Sequence, residues 1–446
     1  MKRFAPLAAA RGLVALLLAG WLWAGTAQAG GRLPCEAPQI FSAAAVNVLV
    51  LPYRDARTNL QARGSAGWRL ATLVQQETLL ALLKYQSIGV TELTAESGLC
   101  DVRQVLQQVT RGQGNGQLAP GRALVVIWGR VYQEGEDIYV QSYLRFLRKG
   151  QAESVQATVG PLRLSAELQT TALAMAPRRL AQRDLEALEA RARQSLMLHR
   201  SPGGAVQGPL ADANEPVAYA VLAAEGEWMR VRSTVTGREG WMRARADADG
   251  WALRRLLPEL GYLDAVVGYL RLRGLQQQPA GGDPRVLYGW MRTQLEAHER
   301  AVGSDTAPAA LALGRVMLGL AQWHVEALGP EAERRRRASA LFDEASRLAP
   351  EVADYRNLSA VASPFAAPFS GAGAPDLSPE LAAQLDGTLL GALALDAEHR
   401  GALGNLERLY AALEAQAPAP GAKALYENPV LTQRLDVVRK SLQGTR

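Results

Sequence analysis

Hydrophobic periodicity constrains this chain more than any single motif. Apolar runs with strand character occur before Trp251, and from Trp251 to the carboxyl terminus the patterning is helical. Sheet faces in the first part and helix stripes in the second each need something to cover them, which predicts a multidomain α+β protein. A chain of 446 residues has room for several compact units, each with its own core.

The first residues are set apart. Lys2, Arg3 and Arg11 flank the apolar run from Gly12 to Trp23, and Thr26-Ala27-Gln28-Ala29 supplies a small-x-small pattern. That is the layout of a secretory signal peptide (residues 1–29), with cleavage expected after Ala29 and the mature protein in the periplasm or secreted. An uncleaved signal anchor is the alternative. The run falls short of the about 20 residues that a membrane span needs, and no later stretch matches it, so no transmembrane segment is expected in the mature chain.

Removing Lys2, Arg3 and Arg11 takes the formal charge from +6 to +3. That excess is spread along the chain and gives little support to a nucleic-acid partner. Cys35 and Cys100 are the only cysteines. An oxidising compartment lets such a pair form a disulfide, with two buried thiols as the alternative.

Val46 to Pro52 reads as a buried strand, and Trp68, Leu70, Leu73, Val74, Leu79, Leu80, Leu82 and Leu83 recur at helical spacing. A strand at Ile88 to Leu93, a helix at Asp101 to Val109, and strands at Leu124 to Tyr132 and Ile138 to Leu147 follow, the last two joined at Gly135. This order, with Val48-Leu49-Val50-Leu51-Pro52 and Ile127-Trp128-Gly129-Arg130-Val131-Tyr132, resembles the amino-terminal domain of TolB and its relatives. The resemblance spans residues 30–160 and implies a non-enzymatic interaction platform.

Residues 161–196 are expected to be a helical connection, with one amphipathic helix from Arg178 to Leu196 after Pro177. Ser201-Pro202-Gly203-Gly204 breaks the pattern. Gly226, Trp228, Val231, Gly237, Gly240 and Trp241 then match the closing motifs of a bacterial SH3 domain, while the opening Arg200-Ser201-Pro202 is one residue short of that pattern. The resemblance implies a small SH3-like β-barrel over 197–246. An exposed tryptophan there, beside Arg230 and Arg232, would hold a peptide or a wall glycopeptide by stacking and hydrogen bonds, so Trp228, Arg230, Arg232 and Trp241 are ligand candidates. Core packing is the competing role for either ring.

In residues 247–446, Ala338, Phe342, Ala345 and Pro350 have the spacing of the second helix of a tetratricopeptide repeat. Ala392 to Asp396, His399, Asn405, Leu406 and Tyr410 resemble a junction between two such repeats. The resemblance implies a TPR-like helical array, degenerate and interrupted by the Pro/Gly-rich stretch 361–377. Asn405, Arg408 and Tyr410 would lie on the helix that lines its concave groove, Tyr410 also being suited to packing. Ser378 and Pro379 read as the cap and first-turn proline of a further helix.

No chemistry-bearing constellation stands out. His199, His298, His324 and His399 lie far apart, with no spacing that suits zinc, and no nucleophile elbow or phosphate-binding Gly-x-x-x-x-Gly-Lys loop is present. Gly112, Gly114 and Gly116 read as a connection, since they follow a helix and precede a strand. Arg334 to Arg337 read as a solvated helix face, because Glu331 and Glu333 each stand four residues before an arginine. The sequence therefore predicts a non-catalytic envelope adaptor, with no metal or cofactor, that binds partner proteins. A peptidoglycan-binding accessory is the alternative.

Overall fold

The computed structural model describes residues 46–51, 53–57, 64–80, 93–97, 105, 118, 122–148, 153–168, 173–174, 177–210, 212, 219–225, 228–233, 236–243, 259–277, 282–302, 308–366, 376–416 and 427–444. The expected signal peptide, both cysteines, Gly112 to Gly116 and Gly226 lie outside the described residues, as does nearly all of the expected helix at Asp101 to Val109.

The fold is mixed α+β. β1 (Val46–Val50) lies between β3 (Leu93–Ser97) and β4 (Ala123–Glu134), parallel to both. It is buried along its length, because Val46, Val48 and Val50 face one core while Leu49 faces another. The short β2 (Arg54–Asp55) adds to β4, and α1 (Ala66–Leu80) covers one face through Leu70, Leu73 and Val74. β4 pairs antiparallel with β5 (Asp137–Arg148) through a two-residue turn in which Gly135 has a φ of 60°, as its sequence suggested.

Residues 161–196 depart from the expected connecting helix. β6 (Glu153–Val159) and β7 (Leu162–Leu168) form a hairpin of their own, and β8 (Leu173–Ala174) and β9 (Arg178–Ala181) pair with β5. The reason is period: Val155, Ala157 and Val159, then Leu162, Leu164 and Ala166, are buried at every second position. Gly160, at a φ of 52°, turns the chain between them. The helix α2 runs only over Gln182–Ser195, because Leu180 is already buried within the ladder to β5. Arg69 of α1 clamps it with two hydrogen bonds to Glu189, of 2.8 and 2.6 Å.

The expected closed barrel is likewise corrected. β10 (Met197–His199), β11 (Val206–Pro209), β12 (Tyr219–Glu225), β13 (Trp228–Ser233) and β14 (Glu239–Arg243) form an open run in the order β11-β10-β14-β13-β12. The outer edge of β12 pairs with β3 at Tyr219 and Ala95, so the run joins the sheet around β1 instead of closing on itself. The Ser201 to Gly204 turn lies inside this run, between β10 and β11.

The helices follow as α3 (Glu259–Gln277), α4 (Pro284–Val302), α5 (Pro308–His324), α6 (Glu331–Leu348), α7 (Ala353–Ala362), α8 (Pro379–Leu395), α9 (Arg400–Ala415) and α10 (Asn428–Gly444). They pack as successive pairs, α3 on α4, α5 on α6, α7 on α8 and α9 on α10. After Ala362 a 3-10 turn, Ser363–Phe365, starts the interruption, whose 367–375 lie outside the described residues. Ser378 caps α8 by accepting from the Leu381 N–H at 3.2 Å, with Pro379 in its first turn.

The arginine run on α6 is only partly a solvated face. Arg335 and Arg337 pair with Glu331 and Glu333, but Arg334 turns inward. It donates to the carbonyls of Gly329, Gln322 and Trp323, satisfying acceptors at the end of α5. Arg335 also lies 3.8 Å over the Trp323 ring.

Ala338, Phe342 and Ala345 are fully buried in α6. Phe342 fits because α5 presents Gly319: a Cβ there would stand 2.6 Å from the Phe342 ring. Gly319→Ala is therefore expected to destabilise the protein by about 1–3 kcal/mol through overpacking, read as a lowered thermal unfolding midpoint.

Candidate functional site

The hairpin of β6 and β7 sits on the first helices of the four pairs. β6 lies against α5 and α7, and β7 against α7 and α9. Its apolar side, Val155, Ala157, Val159, Leu162, Leu164 and Ala166, belongs to one buried cluster with those helices. Gln156, Thr158, Arg163 and Glu167 point the other way and are exposed.

Polar contacts fix the hairpin at two places. At its start, Glu153 is buried and accepts a hydrogen bond from the Tyr269 hydroxyl of α3, with Arg273 Nε 3.8 Å away. In β7, Asn405 of α9 takes both main-chain groups of Ser165: its Oδ1 accepts from the Ser165 N–H at 2.9 Å and its Nδ2 donates to the Ser165 carbonyl at 2.8 Å. A primary amide used this way mimics one step of a β-ladder, so a helix side chain reads extended backbone. Asn357 of α7 accepts a second hydrogen bond from Asn405 Nδ2 at 2.9 Å, and Arg408 donates to its Oδ1 at 3.2 Å. These neighbours hold the amide in one orientation.

Of the helical candidates, Asn405 is thus buried against the chain's own hairpin and not open to solvent. Arg408 is exposed and supports Asn405. Tyr410 is 1 % exposed and points away from the hairpin contacts, donating to Asp386 of α8 at 2.5 Å with Arg434 of α10 beside it. Burial and then the Asp386 carboxylate push its hydroxyl pKa well above the ordinary value. Asn357, Tyr269, Arg273 and Glu153 were not singled out from sequence. Only the alternation of residues 153–168 could have pointed to them, by showing that a strand needed a cover.

The candidates in the sheet come together on one face. Along β13, Met229, Val231 and Ser233 are buried, so Trp228, Arg230 and Arg232 share the opposite side. On β14 that side carries Glu239, Trp241 and Arg243, with Trp241 directly across from Arg230. Both tryptophans are half-buried, and His199 of β10 packs edge-on against Trp228 with ring centroids 4.9 Å apart. Glu239 bridges the two arginines, receiving Arg232 at 2.8 and 2.9 Å and pairing with Arg230. The hydrogen bonds from Arg232 and then Arg230 hold the Glu239 carboxyl below the usual carboxylate range. The bridge is accordingly present at neutral pH and lost as pH falls through that lowered pKa.

Among the described residues no group of three His, Cys, Asp or Glu side chains could hold a metal ion, and no helix is long and apolar enough to cross a membrane. The helices hold the backbone of the chain's own hairpin, and β13 and β14 carry an aromatic face with paired arginines.

Two outcomes follow. Asn405→Ala strands the Ser165 backbone groups and is expected to cost roughly 1–3 kcal/mol, with faster amide exchange across 162–168 as the measurement. In a carboxyl-detected NMR titration, Arg232→Ala is expected to move the Glu239 pKa upward. Comparison with protein-family models, with curated proteins and with solved structures found no match.

Proposed function

We propose that this chain is a non-catalytic, exported envelope adaptor that holds partner proteins in the periplasm. The observation that carries the reading is the two-point hold of Asn405 on the Ser165 backbone, within a helical groove that covers an extended segment. Such a groove suits strand-like ligands, because main-chain hydrogen bonds supply affinity and alternate side chains supply selectivity. The likeness of the amino-terminal part to the TolB amino-terminal domain, of the residues around Trp228 and Trp241 to a bacterial SH3 domain, and of the helices to tetratricopeptide repeats points the same way. In each, recognition rather than bond-making is the usual work.

A second reading, a peptidoglycan-binding accessory, is favoured by the common face of Trp228, Trp241, Arg230 and Arg232. Stacking on the rings and hydrogen bonds from the arginines suit a wall glycopeptide.

Pull-down on purified peptidoglycan and photo-crosslinking in envelope extracts separate the two. The adaptor reading expects protein adducts at the groove or the aromatic face and no retention on the wall. Retention on peptidoglycan, abolished by Trp228→Ala or Trp241→Ala with unchanged thermal unfolding, supports the accessory. Turnover of any substrate, abolished by changing one side chain, overturns both.

A further inference from the structure

The β6–β7 hairpin is joined to the rest of the protein in an unusual way. It forms a two-stranded sheet of its own, and neither strand enters the ladder of the larger sheet. Removing it from the helices therefore breaks no hydrogen bond between strands of the main sheet. Its polar contacts with the helices include Glu153 on Tyr269, with Arg273 nearby, at the start of β6, and the Ser165 backbone on Asn405 midway along β7.

We infer that the groove of α3, α5, α7 and α9 is a receptor for an extended segment of another protein, and that β6–β7 is a built-in occupant which that segment replaces. The inference rests on the adaptor reading and names its ligand class: a two-stranded segment with a carboxylate at the start of its first strand and small or branched aliphatic side chains at every second position of both strands.

Each part of that ligand follows from a contact. The grip at Ser165 is to main-chain N–H and C=O, which every residue except proline carries, so the hold transfers to a different sequence. The carboxylate requirement comes from Tyr269 and Arg273, which meet Glu153 where it is buried. A ligand without an acid there leaves the buried Tyr269 hydroxyl without this acceptor and the partly buried Arg273 without this nearby carboxylate. The aliphatic requirement comes from the side that carries Val155, Ala157, Val159, Leu162, Leu164 and Ala166, all at most 4 % exposed. Once released, a hairpin of two seven-residue strands has too little of its own to stay folded. The tether keeps it at an effective concentration on the order of millimolar, so a competitor in trans binds weakly until the hairpin is weakened.

The test uses the full mature chain and a fluorescent peptide with the sequence of residues 151–170. Leu164→Asp places a charge on the buried side of the hairpin while leaving the groove untouched. It is expected to bind the peptide about tenfold or more tighter than the wild type, and Asn405→Ala added to it removes that gain. A peptide carrying Glu153→Gln binds the same variant several-fold more weakly. Should Leu164→Asp lose its helical circular dichroism, Leu164→Ala takes its place, with a smaller gain expected. A folded variant that binds the peptide no better than the wild type, or equally well with Asn405→Ala, overturns the inference. So does a wild-type dimer in light scattering whose hairpins crosslink into the neighbouring copy, since the occupant is then a second copy of this chain. If the peptide fails yet envelope proteins still crosslink at the aromatic face, the inference falls and the adaptor reading stands. If the peptide exchanges but no envelope protein is found at either surface, the hairpin is displaceable, yet the receptor inference and the adaptor reading both fall.

Discussion

A two-stranded hairpin cannot cover its own apolar face, and neither can the inner side of a row of helix pairs. Each solves the other's problem here, and the rest of the structure is arranged around that mutual burial. Val155, Val159, Leu162 and Leu164 are removed from water by α5, α7 and α9, a gain of roughly 1.5–3 kcal/mol per side chain before conformational entropy is subtracted. Because β6 and β7 lie between β5 and β8 in the chain, the same contact draws the helices toward the sheet. One connected cluster of buried apolar residues consequently runs from Val48 in the sheet to Leu435 in the last helix, with a smaller second cluster around Leu49 on the other face of β1.

Polar groups inside that cluster are organised for direction more than for stability. Asn405 is fixed by Asn357 and Arg408 before it meets Ser165, and Tyr410 is tied to Asp386 with Arg434 alongside. His399 caps α9 by accepting from the Ala402 N–H at 3.0 Å while its other ring nitrogen meets Asp354 of α7 at 2.9 Å. Since the first nitrogen accepts, the second carries the proton and donates to the carboxylate. The Asn405–Asn357 and His399–Asp354 contacts join α9 to α7, the two helices that flank β7, and Tyr410 joins α9 to α8. Buried polar networks of this kind fix a unique arrangement because every misplacement leaves a group unsatisfied.

The sheet shows a related economy. A short run of β-strands resembling a barrel would normally close on itself, yet β12 spends its outer edge on β3. The result leaves one side of β13 and β14 half-exposed, with two tryptophans and three arginines on it. An aromatic side chain kept partly in water, next to guanidinium groups bridged by Glu239, presents a flat apolar surface with hydrogen-bond donors at its margin.

Local pattern was sufficient for the local elements. The β-branched run Val46 to Val50, the turn at Gly135, the cap at Ser378 and the stripe of Ala338, Phe342 and Ala345 each express a preference of a few neighbouring residues, and each appears as read. The alternation in 153–168 is equally visible, but it runs into a stretch rich in Ala, Leu and Arg, 165–192, whose composition suits helices. Which surfaces would meet was a different matter. That Asn405 would grip Ser165, 240 residues earlier, that β12 would seek β3, and that Arg334 would leave its basic neighbours to cap α5 depend on contacts between distant segments. Sequence by itself determined the periods and caps, because these are properties of adjacent residues; only the tertiary structure decided the partners, because burial is won between whole faces and no short stretch of chain encodes the face it will be pressed against.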